Sequence, residues 1–256
     1  MKIIDAHTHL DDVKFPKVFD AVSELSSQVS SSDVETAIVL HLEAQKWTMH
    51  EFSEAVNHFD NIYAFVNVHP DDPHSKKNLK KAVQELGYIG LKLHPRLQKF
   101  KPHDSNTIDL VRYAGELGIP VLIDAFPDGT HLMSDFNPIS YSTLALEAPL
   151  TNIIWAHMGG HHVIDFMMLA KRLDNVYFDI SYSFLYYRGS DVPKNMAYAM
   201  KSMRYERVFY GSDYPDRSIQ QTLTESLALF DQFDIDKADQ KKILSTNANL
   251  FFNIKN

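Results

Sequence analysis

The sequence predicts an α/β protein folded as a single-domain (β/α)8 barrel, the TIM-barrel architecture. Three observations predict it. Eight short apolar runs alternate with longer amphipathic ones, the chain has 256 residues, a usual length for one such barrel, and histidines and aspartates recur where the runs end. No low-complexity segment, Ser/Gly linker or compositional step divides the chain, so residues 1–256 are read as one unit.

The predicted strands are, in order, Lys2–His7, Thr36–Leu42, Ile62–Val68, Tyr88–His94, Pro120–Phe126, Asn152–His157, Asn175–Ile180 and Arg207–Ser212. Each is rich in β-branched or aromatic residues, of strand length and bounded by turn residues. Helix-length segments lie between them. Pro16–Ser30 begins with a proline suited to a first helical turn, and Ser105–Leu117 stops at Gly118 ahead of Pro120. Ser218–Phe233 and Lys237–Leu250 close the chain. Such alternation implies parallel pairing with right-handed crossovers, which an open doubly wound sheet shares. The strand ends separate the two folds. They carry His7 and His9, His41, His69, His94, Asp124, His157 and Asp213. A barrel gathers these at one mouth, whereas an open sheet strings them along an edge.

Composition narrows the function. An apolar fraction of 45% with 23% charged residues is ordinary for a globular chain. Lys and Arg number 25 against 33 Asp and Glu, a formal net charge of −8, which disfavours a nucleic-acid ligand. With no cysteine there is no disulfide, no Cys-ligated zinc and no thiolate nucleophile. The opening Met1-Lys2-Ile3-Ile4-Asp5 meets a charge before any signal-peptide core, and no run reaches the roughly 18 apolar residues of a membrane span. The expectation is a cytoplasmic protein without membrane attachment.

The sharpest motif is Asp5-Ala6-His7-Thr8-His9. Strand side chains alternate, so His7 and His9 point the same way, and two imidazoles so placed can grip one divalent cation. Tyr210-Gly211-Ser212-Asp213-Tyr214-Pro215 ends the eighth strand, which closes beside the first. Asp213 can therefore reach the same ion, or hold and deprotonate a water; otherwise it caps the turn before Pro215. Trp155-Ala156-His157-Met158-Gly159-Gly160 ends the sixth strand, with His157 either a ligand, a group that orients and protonates substrate, or a histidine satisfied by a backbone carbonyl.

Together these blocks resemble the amidohydrolase superfamily, in its amidohydrolase-related (amidohydrolase 2) branch of hydrolases and nonoxidative decarboxylases. Gly90-Leu91-Lys92-Leu93-His94-Pro95 is similar to that branch's fourth strand, and Asn247-Ala248-Asn249-Leu250-Phe251 to its closing helix. The resemblance implies a divalent ion, zinc first, held by His7, His9 and Asp213 with further ligands from the middle strands; a carboxylate ligand at Asp124 would admit manganese or iron as readily. Relatives usually end the fifth strand with histidine, where this chain has Pro120-Val121-Leu122-Ile123-Asp124. Either Asp124 replaces the imidazole, giving a harder site, or His94 or Lys92 completes the shell, or the metal is lost. Lys92 is carboxylated in the manner of binuclear relatives or pairs with Asp124.

The expected chemistry is hydrolysis of an amide, ester or lactone of a small molecule, with Asp213 as base and His157 steadying the oxyanion. Nonoxidative decarboxylation is the alternative, followed by a TatD-like phosphodiesterase suggested by His7-Thr8-His9-Leu10-Asp11 and by an inactive ligand-binding barrel. Lys92, His94, Arg96 and His69 are the candidate substrate contacts, Arg96 as a bidentate carboxylate clamp helped by Gln98. Asp179 and Ser181 are candidate supports for the ligands. His41 either lines the mouth or ends its strand, and His161 and His162 read as surface or packing residues. Phe184–Tyr187 is an aromatic lid or the contact of a homodimer.

Overall fold

The computed structural model describes residues 2–254. Its strands are β1 (Ile3–Thr8), β2 (Val34–Leu40), β3 (Ile62–Asn67), β4 (Gly90–Leu93), β5 (Val121–Ile123), β6 (Ile153–Trp155), β7 (Val176–Asp179) and β8 (Val208–Phe209). They pair in sequence order, each parallel to the next. The barrel closes where Ala6 N donates to Tyr210 O at 2.9 Å, Asp213 N to His7 O at 2.9 Å and His9 N to Tyr214 O at 2.7 Å. The predicted barrel is the observed one.

Alternation divides the apolar side chains into two cores. Ile4, Ala6, Ile38, Leu40, Phe65, Leu122, Ile154, Ala156 and Phe209 fill the interior, with Ala248, Phe251 and Phe252 packed against them from the closing helix. The larger core lies between strands and helices, with Val22 and Leu25 of the helix Val18–Ser30 and Leu110 and Val111 of Ser105–Glu116 fully covered. The helix Ile219–Gln232 starts at Ser218, whose hydroxyl accepts from Gln221 N. No helix among the described residues is long and apolar enough to cross a membrane.

Several strands stop short of their predicted ends, for a physical reason. Beyond Phe209 the backbone donors leave the ladder: Tyr210 N bonds Ile243 O at 3.0 Å and Ser212 N bonds Asp5 Oδ1 at 2.9 Å. The acceptor Ile243 sits in a π-helical turn, Lys242–Thr246, which splits the single helix expected over Lys237–Leu250. A π turn frees carbonyls from the helical ladder, and here one is spent on holding β8. Asn247 adds two more ties, from Nδ2 to Tyr205 O at 2.7 Å and to Val208 O at 2.8 Å.

Gly211 lies where the strand ends crowd together. A Cβ at this position would stand 2.8 Å from His7 Cβ and 2.9 Å from Ser181 Cβ. Neither neighbour can retreat without moving its strand, so Gly211→Ala is expected to cost about 1–3 kcal/mol, read as a lower denaturation midpoint at unchanged m. A midpoint equal to wild type would show that the seam yields freely.

Candidate metal centre

His7, His9 and Asp213 meet at the seam between the first and last strands. His7 Nε2 is 3.2 Å from His9 Nε2 and 3.2 Å from Asp213 Oδ1, and His9 Nε2 is 3.5 Å from the same oxygen. The other ring nitrogens are already committed: His7 Nδ1 donates to Asp179 Oδ2 at 3.0 Å, and His9 Nδ1 to Leu40 O at 3.0 Å. Burial pushes both imidazoles below their usual pKa, His9 strongly, so each Nε2 carries a lone pair. Two lone pairs and a carboxylate oxygen therefore converge, an arrangement that repels itself until a cation sits among them. Their spacing suits one, since bonds of about 2.0–2.1 Å in a tetrahedral shell separate ligand atoms by about 3.3 Å. The donor set fits a divalent metal.

The backbone is bent to make this possible. Asp213 has φ 57° and His157 φ 61°, left-handed values that cost a non-glycine residue about 1–3 kcal/mol and persist where the surroundings enforce them. Met158, Gly159 and Gly160 continue the positive-φ run. A Cβ on Gly159 would strike the Phe166 ring, which explains the glycine.

A second layer holds the histidines. Asp179 Oδ2 takes His7 Nδ1, while Asp179 Oδ1 accepts His157 N at 3.0 Å, Ser181 N at 3.0 Å and the Ser181 hydroxyl. Ser181 Oγ lies 3.1 Å from His7 Nδ1 and 3.0 Å from His157 Nδ1. His7, His157 and Asp179 thus form a second group with metal-ligand spacing. Its nitrogens already have hydrogen-bond partners, so its chemistry is that of a support. Asp5, fully buried, accepts from His7 N at 3.2 Å and Ser212 N at 2.9 Å, which locks β1 to the loop bearing Asp213. Burial, opposed by hydrogen bonds, pushes its carboxyl up to about 7.

Asp124 stands between two histidines rather than beside Lys92. Its Oδ1 is 3.2 Å from His157 Nε2, and its Oδ2 is 3.6 Å from His94 Nδ1, both of the latter atoms lacking a hydrogen-bond partner. His157 faces acceptors on both ring nitrogens, since Nδ1 points to Ser181 O at 2.9 Å. Burial alone would lower its pKa, but the Asp124 hydrogen bond and the charges of Asp213, Asp124 and Asp179 outweigh it and push it up to about 9. Burial likewise opposes Asp124's charge, yet the neighbouring histidines hold its carboxyl well below the usual range. His94 is pushed down by burial to about 3. The sign for stability follows: the His157 contribution is complete below pH 6.5 and is lost as pH rises through about 9. In chelator-treated protein, the His157 ring resonances should titrate near pH 9, and in Asp124→Asn at lower pH, because burial is then opposed only by Asp213 and Asp179. Titration near 6.5 in both proteins would contradict the pairing.

These residues border a cavity of about 300 Å³. Lys92, only 1% exposed, lies on its floor, and burial lowers its ammonium from the usual range against the pull of Asp124, Asp179 and Asp213. Arg96 forms one wall, its Nε 3.0 Å from Asp128 Oδ2. Phe126, Tyr182 and Tyr186 form an aromatic wall, with Tyr182 and Tyr186 stacked at 4.9 Å. Of the expected aromatic lid, Tyr186 reaches the mouth while Phe184 and Leu185 are buried beneath it.

Other expected contacts lie elsewhere. His69 Nε2 is 2.8 Å from Gln98 O, and His41 Nε2 3.1 Å from Trp47 O, so neither reaches this cavity. Gln98 does not support Arg96; its Oε1 accepts from His94 N and Asn67 Nδ2. His161 and His162 sit outside, near Tyr187 and Asp165. Asp5, Asp128 and Tyr182 join this region without standing among the sequence candidates; the signal for Asp5 is its place in the opening motif, and for Tyr182 its place beside Ser181.

A sequence profile of the family described as amidohydrolase matches residues 4–254, and the chain belongs to that family. No curated protein sequence matches it significantly. Among solved structures it is similar to an uncharacterised TIM-barrel protein from Bordetella bronchiseptica, with TM-score 0.82 and 15% identity over 99% of both chains. A probable 2-pyrone-4,6-dicarboxylic acid hydrolase from Acinetobacter baumannii, with citric acid bound, matches with TM-score 0.70 and 16% identity over 99% of this chain and 100% of that one. A 5-carboxyvanillate decarboxylase from Novosphingobium aromaticivorans, complexed with manganese and a nitrobenzoic acid, matches with TM-score 0.66 and 14% identity over 98% and 96%.

Proposed function

We propose that this amidohydrolase-family barrel is a metal-dependent hydrolase that opens an ester, lactone or amide bond in a small carboxylate-bearing molecule. The observation that carries the reading is the convergence of His7 Nε2, His9 Nε2 and Asp213 Oδ1 at the barrel mouth. These three would hold a divalent ion, zinc or manganese, and the chemistry it would supply there is Lewis acidity toward a carbonyl oxygen and water. The chain's own groups do the rest. Asp213, part-exposed to the cavity, takes a proton from the attacking water at its carboxylate and returns it to the leaving oxygen or nitrogen. His157, kept cationic by Asp124, steadies negative charge as the carbonyl becomes tetrahedral. Arg96, with Nε beside Asp128, presents its two Nη groups to the substrate carboxylate, and Lys92 adds positive charge below. The Phe126, Tyr182 and Tyr186 wall shields the reacting bond from bulk water.

The test is a panel of carboxylate-bearing esters, lactones and amides, assayed after chelation and after return of zinc or manganese. Metal-dependent hydrolysis of at least one class supports the reading; none with any metal overturns it. One observation favours a second reading, nonoxidative decarboxylation. His157 is a cationic acid on the cavity wall near Arg96 and could give its proton to the carbon that loses carbon dioxide. Carbon dioxide release from aromatic or enoic acids would identify that chemistry.

A further inference from the structure

The cavity at the metal centre is the first of three neighbouring cavities that share lining residues. His94 borders it and also borders a second cavity of about 300 Å³ that contains Glu43, Asn67 and His69. Those three residues in turn border a third cavity, of about 630 Å³, over the ends of β2 and β3. Charge changes along the way. Arg96 and Lys92 lie at the metal end and Lys99 borders the middle cavity, whereas Glu43, Asp71 and Asp72 border the far cavity, which has no Lys or Arg in its lining.

Asn67 marks the junction. It is the β-ladder neighbour of Lys92 and only 9% exposed. Its Nδ2 is fixed by two acceptors, Lys92 O at 2.8 Å and Gln98 Oε1 at 3.2 Å, so the amide cannot flip without losing both. Its Oδ1 is consequently an acceptor without a donor, on a residue that borders both outer cavities. Buried amide oxygens are rarely left so, because an unmet acceptor forfeits the hydrogen bonds it made in water. Glu43, an exposed residue, borders the same two cavities and is tied to the same glutamine, its Oε2 accepting from Gln98 Nε2 at 3.1 Å.

We infer that the two outer cavities form a second subsite, built by Asn67 Oδ1 and Glu43, for an ammonium group at the distal end of a carboxylate substrate. The inference rests on the carboxylate being held at Arg96, as proposed above. It makes the ligand bipolar, with its anionic end at the metal centre and its cationic end over β2 and β3. The ammonium donates to Asn67 Oδ1 and pairs with Glu43, while the acidic far cavity draws it in.

Calorimetric titration of the metal-loaded protein with straight-chain ω-amino carboxylates, from aminobutyrate to aminooctanoate, and with the matching ω-methyl and ω-hydroxy acids, tests this. At one chain length the amino acid should bind at least about tenfold more tightly than the methyl acid, with the hydroxy acid between them. Glu43→Gln should shrink that ratio to about threefold or less, and Arg96→Met should weaken all three ligands together. Equal binding of amino and methyl acids at every length, no binding of the amino acids, or an unchanged ratio in Glu43→Gln overturns the subsite. Failure of the hydrolysis panel is a separate result, since the binding preference needs no turnover.

Discussion

Asp213→Asn is expected to lower kcat/KM by about a hundred- to ten-thousand-fold while leaving most of the bound metal in place. An amide oxygen can still approach a cation, and the loop that carries residue 213 is held by Asp213 N on His7 O and by Asp5 on Ser212 N, neither of which uses the side chain. What the substitution removes is the group that accepts a proton from water. The measurement pairs kinetics with elemental analysis of the same preparation. Loss of activity alongside loss of metal would mean that Asp213 serves chiefly as a ligand; full activity would remove it from the mechanism.

Asp179→Asn should weaken metal binding by about 10- to 100-fold, the usual effect of removing a carboxylate that orients a ligating imidazole. This carboxylate does more than orient His7. It accepts from His157 N and Ser181 N as well, so one side chain sets the position of both histidines. An asparagine can keep one of its acceptor roles and loses the charge that favours the Nδ1-protonated form of His7. Competition against a chelating indicator gives the affinity directly. Affinity within twofold of wild type would show that His7 is held by packing alone.

The eight-strand alternation and the chemical strand ends were legible because both are local patterns of spacing. His7, His9, His157 and Asp213 needed only their own motifs to be found, and the barrel to be brought together. His41 and His69 have the same sequence signature yet point elsewhere. Their Nε2 atoms are claimed by Trp47 O, in a loop, and Gln98 O, at the end of a one-turn helix, segments whose paths no periodicity announces. Asp124 was recognisable as a departure at the fifth strand, but its partners were not. Whether it meets Lys92 or His157 depends on rotamers at three strand ends, and the structure places it with His157 and His94. The role of Asp5 was hidden for another reason. It joins Ser212 across 207 residues, a pairing that only closure of the barrel creates.

That closure is also the weakest run of pairing in the sheet. β8 has two residues, and beyond it the first and last strands touch through a few backbone bonds and one isolated bridge, Thr8 with Tyr214. His7 and His9 stand on one lip of this gap and Asp213 on the other. An ion shared among them would work as a buckle, fastening the beginning of the chain to its end. Removing it should leave most of the wall intact and loosen this join first, with amide exchange quickening around residues 5–9 and 210–214 before it does elsewhere.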